Sequence, residues 1–360
     1  MEIFSIQYLR AIAAMMVVVV HLYPQLQRMG YQGYWPEWMG AGVDVFFVLS
    51  GFLMWITTCE KKVGVMTFYR RRAVRIVPLY WALMSVAVAI MLMAPQLLQT
   101  TRFNLFHVIA SYLFIMVPNP AGLVEPVLTV GWTLNYEVLY YVVFGLTLAL
   151  PVAWRFGATA LVFGTLAVLG WAGVGGSSLI VKAYTADIML EFLLGMALGA
   201  WFLKVDKSTR TNEGWPALLG WVLVLGGLAT LPLMAVMAPG AIRPLAQGIP
   251  ATAIVGGAIL LERCLALPRM KLLHRLGDAS YSLYVSHAFV LSAVSQAWRK
   301  LHLDTLPGGK AGFCVVAMLC ALAGGAIVYE VLEKPLIAFF RKRREQAAST
   351  TATRRSAAGL

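Results

Sequence analysis

Apolar residues run along this chain in long blocks separated by short polar stretches. The blocks cover approximately 5–24, 40–58, 76–96, 104–117, 134–150, 156–174, 187–203, 215–237, 247–262, 280–298 and 311–332. A hydrocarbon core about 30 Å thick takes about 20 helical residues, so most of these blocks are long enough to cross one. The block at 104–117 is short for a span and is expected to be re-entrant or interfacial. The long blocks lack the ten-residue alternating pattern of a membrane β-barrel. The pattern predicts an all-α, polytopic membrane protein of about ten transmembrane helices.

The basic residues orient those helices. Lys61, Lys62, Arg70, Arg71, Arg72 and Arg75 lie between the second and third blocks, and Lys204, Lys207 and Arg210 follow the seventh. Arg263, Arg269, Lys271 and Arg275 follow the ninth, and further cations run from Lys334 to Arg355. By the positive-inside rule all these segments are cytoplasmic, and so are both termini. A crossing at 104–117 would put them on opposite sides. The outer face then carries the segment 97–132, with Pro118, Pro120 and Pro126. Residues 1–340 are expected to form one membrane domain, and 341–360 a basic, disordered cytoplasmic tail.

Composition narrows the class. The 360 residues are 60% hydrophobic and 12% charged, with a formal net charge of +13. A soluble domain is about 45–50% apolar and about 25% charged, so too little polar surface exists here to cover a water-soluble globule. The first apolar block holds Arg10 and lacks a small-residue cleavage site, so it reads as a permanent span rather than a signal peptide. Cys59, Cys264, Cys314 and Cys320 show no paired spacing, and neither a disulfide framework nor a metal site is expected. No nucleic-acid partner is expected; the basic surface faces membrane lipid.

Ionisable groups within a bilayer are costly enough to mark functional sites. Here they are Arg10, His21, Asp44, Glu137, Glu191 and His287. Arg10 and His21 are eleven residues apart, about 20° past three helical turns and about 16 Å along the axis, so they share one face at different depths. Asp44 and Glu137 open spans that begin at the outer face, which places them with His21 near the outer leaflet. A histidine oriented by a carboxylate suits removal of a hydroxyl proton. A histidine that only caps a helix and bonds a backbone carbonyl is the structural alternative. His287 is either a second site histidine or an interhelical hydrogen bond. Arg71, Arg72 and Arg75 fall on one helical face beside the membrane. That cluster is either a topogenic anchor on anionic lipid or a site for a polyphosphorylated cytosolic ligand. Gly40, Gly42, Ser50 and Gly51, and the Gly195-x-x-x-Gly199 pair, read as helix packing.

Five motifs in order carry a resemblance. They are Arg10-x10-His21, Gly42-Val43-Asp44-Val45-Phe46-Phe47-Val48-Leu49-Ser50-Gly51-Phe52, Arg72-x-x-Arg75-Ile76-x-Pro78-x-Tyr80-Trp81, Trp132-Thr133-Leu134-Asn135-Tyr136-Glu137 and Tyr281-Ser282-x-Tyr284-x-Ser286-His287. Together they resemble the acyltransferase 3 family of bacterial inner-membrane O-acyltransferases. The Asn-Tyr-Glu form looks most like its exopolysaccharide acetyltransferase branch of the ExoZ type. The resemblance implies transfer of an acetyl or other short acyl group from cytosolic acetyl-CoA, without a metal, to a sugar hydroxyl of an exopolysaccharide or lipid-linked glycan. It also implies Arg10 and His21 as the central pair; on the bottom-up reading Asp44 or Glu137 is expected to orient His21. Arg71, Arg72, Arg75 and Tyr80 are then expected at the donor, and Trp132, Asn135, Tyr136 and His287 at the acceptor. Polysaccharide-assembly proteins are the expected partners. A transporter or flippase of a lipid-linked sugar is the rival class, since it too would use intramembrane charges.

Overall fold

A computed structural model describes residues 3–59, 63–94, 103–205, 214–265 and 268–341, and among these there is no β-strand. The expected loop cations Lys61, Lys62, Lys207 and Arg210, and the tail beyond Arg341, lie outside the described residues. Thirteen α-helices are described. They are α1 (Phe4–Arg28), α2 (Gly42–Thr58), α3 (Val65–Met93), α4 (Leu105–Tyr112), α5 (Trp132–Thr147), α6 (Val152–Trp171) and α7 (Leu179–Tyr184). The rest are α8 (Leu190–Lys204), α9 (Gly214–Met237), α10 (Ile249–Cys264), α11 (Lys271–Asp278), α12 (Ser280–Lys300) and α13 (Gly309–Val328).

Eight helical stretches among the described residues are long and apolar enough to cross a membrane, with α7–α8 and α13 with its extension to Arg341 counted as one each. The polytopic all-α fold therefore stands. The shortfall from ten lies in two elements that build the interior. Helix α5 has 16 residues, about 24 Å. Helix α12 carries Ser280, Ser282, Ser286, His287, Ser295 and Gln296. Both present polar side chains to neighbouring helices rather than to lipid, which lowers their apolarity without removing them from the bundle.

The chain ends of the helices satisfy one another. Glu262 near the end of α10 accepts from the Phe4 and Ser5 amides, both at 2.8 Å, and so caps α1. Arg155 in the first turn of α6 donates to the carbonyls of Thr58, Leu148 and Leu150 at 3.2, 3.3 and 3.0 Å. The N-termini of α1 and α6 thus gather with the C-termini of α2, α5 and α10, forming what is called here the basic end. Helix α3 also starts at this end. It begins at Val65, eleven residues before the apolar block does, so Arg70, Arg71, Arg72 and Arg75 are helical rather than loop residues.

Helices α2 and α8 touch backbone to backbone. A β-carbon on Gly51 would collide with the Phe192 carbonyl, and one on Gly195 with the Val48 carbonyl. These glycines serve packing, as their spacing suggests. The segment after α4 folds back into the protein. The Asn119 side chain accepts from the Ala121 and Leu123 amides at 2.9 and 3.0 Å, and Ser111 Oγ accepts from the Val127 amide at 3.1 Å. Met116, Val127, Leu128 and Val130 are buried by it. With only eight residues in α4, about 12 Å, the stretch at 104–117 is too short to cross as a helix. One consequence fixes the site: α5 begins well inside the bundle, where Thr133 Oγ1 and Tyr284 Oη share a 2.6 Å hydrogen bond.

Candidate functional site

A cavity of about 200 Å³ lies between α1, α2, α3, α5 and α12. Its apolar wall comes mainly from α2, including Phe46, Phe47, Leu49, Leu53 and Met54. Its polar wall is made of Arg10, Arg72, Arg75, Ser50, Glu137, Tyr141, Tyr281 and Tyr284. Three arginines therefore face one carboxylate, an arrangement that favours an anionic or strongly polarised ligand.

Each side chain has a local reason for its place. Glu137 sits in the second turn of α5, where its Oε1 accepts from Ser50 Oγ at 2.9 Å and from the Tyr141 hydroxyl one turn on. Tyr281 donates to the Ile76 carbonyl at 2.7 Å, tying the start of α12 to α3. The Arg72 guanidinium lies over the rings of Phe68 and Tyr141, 5.8 Å from each centroid. Its buried Nε has no hydrogen-bond acceptor among the described residues. A buried donor without an acceptor is costly, and here it lies at the wall of an open cavity that a ligand could enter. Arg10 donates to Gln7 Oε1 at 3.4 Å.

The two histidines meet but do not line this cavity. The rings of His21 and His287 are 4.8 Å apart, edge to face. His21 Nδ1 bonds the Val17 carbonyl at 2.8 Å, and His287 Nδ1 bonds the Tyr284 carbonyl at 2.7 Å. A carbonyl only accepts, so in the neutral rings Nδ1 carries the proton and Nε2 keeps its lone pair. Both are thus set as bases through Nε2, and that of His287 is buried without a partner among the described residues. Tyr284 stands between the histidines and the cavity: it lines the cavity, and its ring centroid is 6.0 Å from that of His287.

The carboxylates do not lie together at one depth beside His21. Asp44, fully buried, is held by Arg243, with Nε to Oδ1 at 3.0 Å and Nη2 to Oδ2 at 2.9 Å. Arg243 Nε also lies 3.4 Å from Glu191 Oε1. Asp44 and Glu191 each occupy the first turn of a helix, where the dipole favours negative charge. Glu137 is instead bonded to Ser50, six residues and about 9 Å further along α2 than Asp44. The fold-back before α5 is the physical reason, since it starts that helix inside the bundle rather than at its surface.

Of the remaining sequence candidates, Arg71 is exposed and is not part of the cavity wall. Tyr80 is fully buried, with its hydroxyl on the Ser111 carbonyl at 3.1 Å and its ring against Phe114. Trp132 and Tyr136 pack edge to face, 6.0 Å apart. Asn135 is buried, and its Oδ1 has no partner among the described residues. The sequence reading missed Arg243, Tyr141 and Glu333, and it took Ser50 for packing. Glu333 is buried and accepts from Ser282 Oγ at 2.6 Å. Only Tyr141 left a signal, one helical turn beyond Glu137; Arg243 looks like a loop cation and Glu333 like half of a charged helix end.

Residues 3–329 match the sequence pattern of the acyltransferase 3 family, described as an acyltransferase domain. The chain is also 36% identical, over 318 residues, to the exopolysaccharide production protein ExoZ of Rhizobium meliloti strain 1021. That alignment covers 85% of this chain and 92% of the relative. No solved structure matches. With the pattern met across nearly the whole described bundle, cavity and histidine pair included, the chain belongs to the acyltransferase 3 family and is a membrane acyltransferase.

Proposed function

We propose that the protein transfers an acetyl or other short acyl group from cytosolic acyl-CoA to a sugar hydroxyl of an exopolysaccharide or lipid-linked glycan at the bacterial inner membrane. The observation that carries this is the cavity wall: Arg10, Arg72 with its unpartnered Nε, and Arg75 around a single carboxylate. At about 200 Å³ the cavity is smaller than the roughly 300–1,000 Å³ of a pocket for a drug-sized ligand. It therefore suits the acyl-thioester end of the donor, with Arg71 left outside to meet phosphates. The relative ExoZ, whose name ties it to exopolysaccharide production, supports the acceptor class.

The reaction needs a base for the acceptor hydroxyl and a stabiliser for the charge on the thioester oxygen. His21 Nε2 takes the hydroxyl proton, and the oxygen attacks the acyl carbonyl. The carbon–sulfur bond then breaks, and the CoA thiolate recovers the proton from His21. Arg10 supplies positive charge to the carbonyl oxygen. His287 fixes the His21 ring from its edge, and Asp44 acts at a distance by organising the α2–α8–α10 junction rather than by orienting His21. Tyr284 must swing for donor and histidine to meet. The transporter alternative has no feature that favours it over this one.

Purified protein incubated with acetyl-CoA and cell-derived glycan should release free CoA thiol together with O-acetyl product. Arg72→Ala and Arg75→Ala should raise KM for acetyl-CoA, since they remove contacts made by the donor. Unaltered donor KM in both variants would contradict the donor assignment.

A further inference from the structure

A second pocket opens at the basic end, on the other side of α1. Its walls are Phe4 and Tyr8 of α1, Arg269 and Met270 just before α11, and Lys271, His274 and Arg275 within it. Tyr8 clamps the entry to α11: its hydroxyl donates to the Pro268 carbonyl at 2.9 Å and accepts from the Met270 amide at 3.0 Å. Arg269 lies over the Phe4 ring at 5.4 Å, and the His274 ring is 5.9 Å from the same ring. The nearby acids are occupied. Glu262 caps α1, and Asp278 lies 3.4 Å from His274 Nδ1. Arg269, Lys271 and Arg275 have no acidic partner among the described residues.

Helix α11 has the build of an interfacial helix. Lys271, His274, Arg275 and Asp278 fall within an arc of about 100°, and Leu272, Leu273 and Leu276 fall outside it. It rests on α1 where Gly277 meets the Gln7 carbonyl, a contact that leaves no room for a β-carbon. Leu272 is 71% exposed directly beside the cations, and Met270 is exposed as well. Uncompensated positive charge next to exposed apolar surface matches the boundary between phosphate headgroups and acyl chains.

We propose that this pocket binds the phosphate of an anionic phospholipid headgroup, with the exposed Leu272 of α11 against its acyl chains. The acyl donor could offer phosphate too, but the geometry favours lipid. Tyr8 and Arg10 are two residues apart, about 200° around α1, so this pocket and the acyl-transfer cavity open on opposite faces of one helix. The inference is independent of the reaction proposed above.

Purified full-length protein, titrated in detergent with phosphatidylglycerol, phosphatidylcholine or CoA and read by native mass spectrometry, tests it. The wild type should retain phosphatidylglycerol over phosphatidylcholine. Arg269→Gln/Arg275→Gln should lower phosphatidylglycerol occupancy by roughly tenfold or more and leave CoA binding unchanged. Arg269→Lys/Arg275→Lys should keep most of it. Lys204→Gln/Arg341→Gln, which removes the same charge elsewhere at the basic end, should match the wild type. If the glutamine pair fails to fold, Lys271→Gln should still lower occupancy severalfold, roughly as one surface cation is worth. Equal losses in the pocket and control variants would overturn the proposal. So would loss of CoA binding with phosphatidylglycerol retained, which would make the pocket the donor's nucleotide site.

Discussion

At the scale of single residues, the fully buried carboxylates among the described residues share one cation. Arg243 joins two fully buried carboxylates, Asp44 and Glu191, from the first turns of α2 and α8. Removing it strands both, so Arg243→Ala should cost about 3–5 kcal/mol, seen as a fall in melting temperature and detergent-stable yield. An unchanged melting temperature would refute the role given to Arg243. Glu137 differs, because its hydrogen bonds from Ser50 and Tyr141 can be accepted by an amide oxygen. Glu137→Gln should therefore fold normally yet lose activity by about 10²-fold or more, while Ser50→Ala should lose under about tenfold. Equal losses in steady-state assays would show that only the hydrogen bond matters. Arg10, Glu137 and the histidines were legible because a charge within an apolar block stands out. Arg243 and Glu333 were not, since each sits where an ordinary loop or helix-end charge would sit, and only the fold brings it inward.

At the scale of elements, helix positions could be read from the apolar blocks, whereas the start of α3 and the depth of α5 could not. Helix α3 runs through the arginines because nothing in Tyr69-Arg70-Arg71-Arg72 breaks a helix, and Arg is a good helix former. The start of α5 was legible to within two residues, but its depth in the bundle was not, because that depends on the fold-back between α4 and α5. That turn is fixed by the Asn119 and Ser111 side chains rather than by any hydrophobic period. The packing role of Gly51 and Gly195 was legible from spacing, and it makes a direct prediction. Gly51→Ala places a methyl group against the Phe192 carbonyl and should destabilise by about 1–3 kcal/mol, measured as earlier thermal aggregation in detergent. Gly226→Ala, on a face of α9 with open space around it, should be neutral.

At the scale of the whole molecule, two charge clusters lie at opposite ends of the bundle. The basic end gathers α11 with the starts of α1 and α3, and on the positive-inside rule we propose that it faces the cytoplasm. The opposite end carries Asp44, Glu191 and Arg243. In a cysteine-free background, His302→Cys should react with an impermeant thiol reagent in intact spheroplasts, and Arg341→Cys only after permeabilisation. The reverse pattern would invert the protein and remove the donor cavity from cytosolic CoA. Between the two ends, Arg75, Arg10 and Tyr284 line the cavity, and Tyr284 packs against His287 of the His21–His287 pair. We propose that acyl transfer uses this series of residues, from the arginines past Tyr284 to the histidines. Its most direct test is the O-acetyl content of surface polysaccharide, measured by NMR in cells carrying wild type, His21→Ala or Arg10→Ala at equal membrane levels. Acetylation should be abolished in the histidine variant and strongly reduced in the arginine variant. Undiminished acetylation in His21→Ala would contradict it.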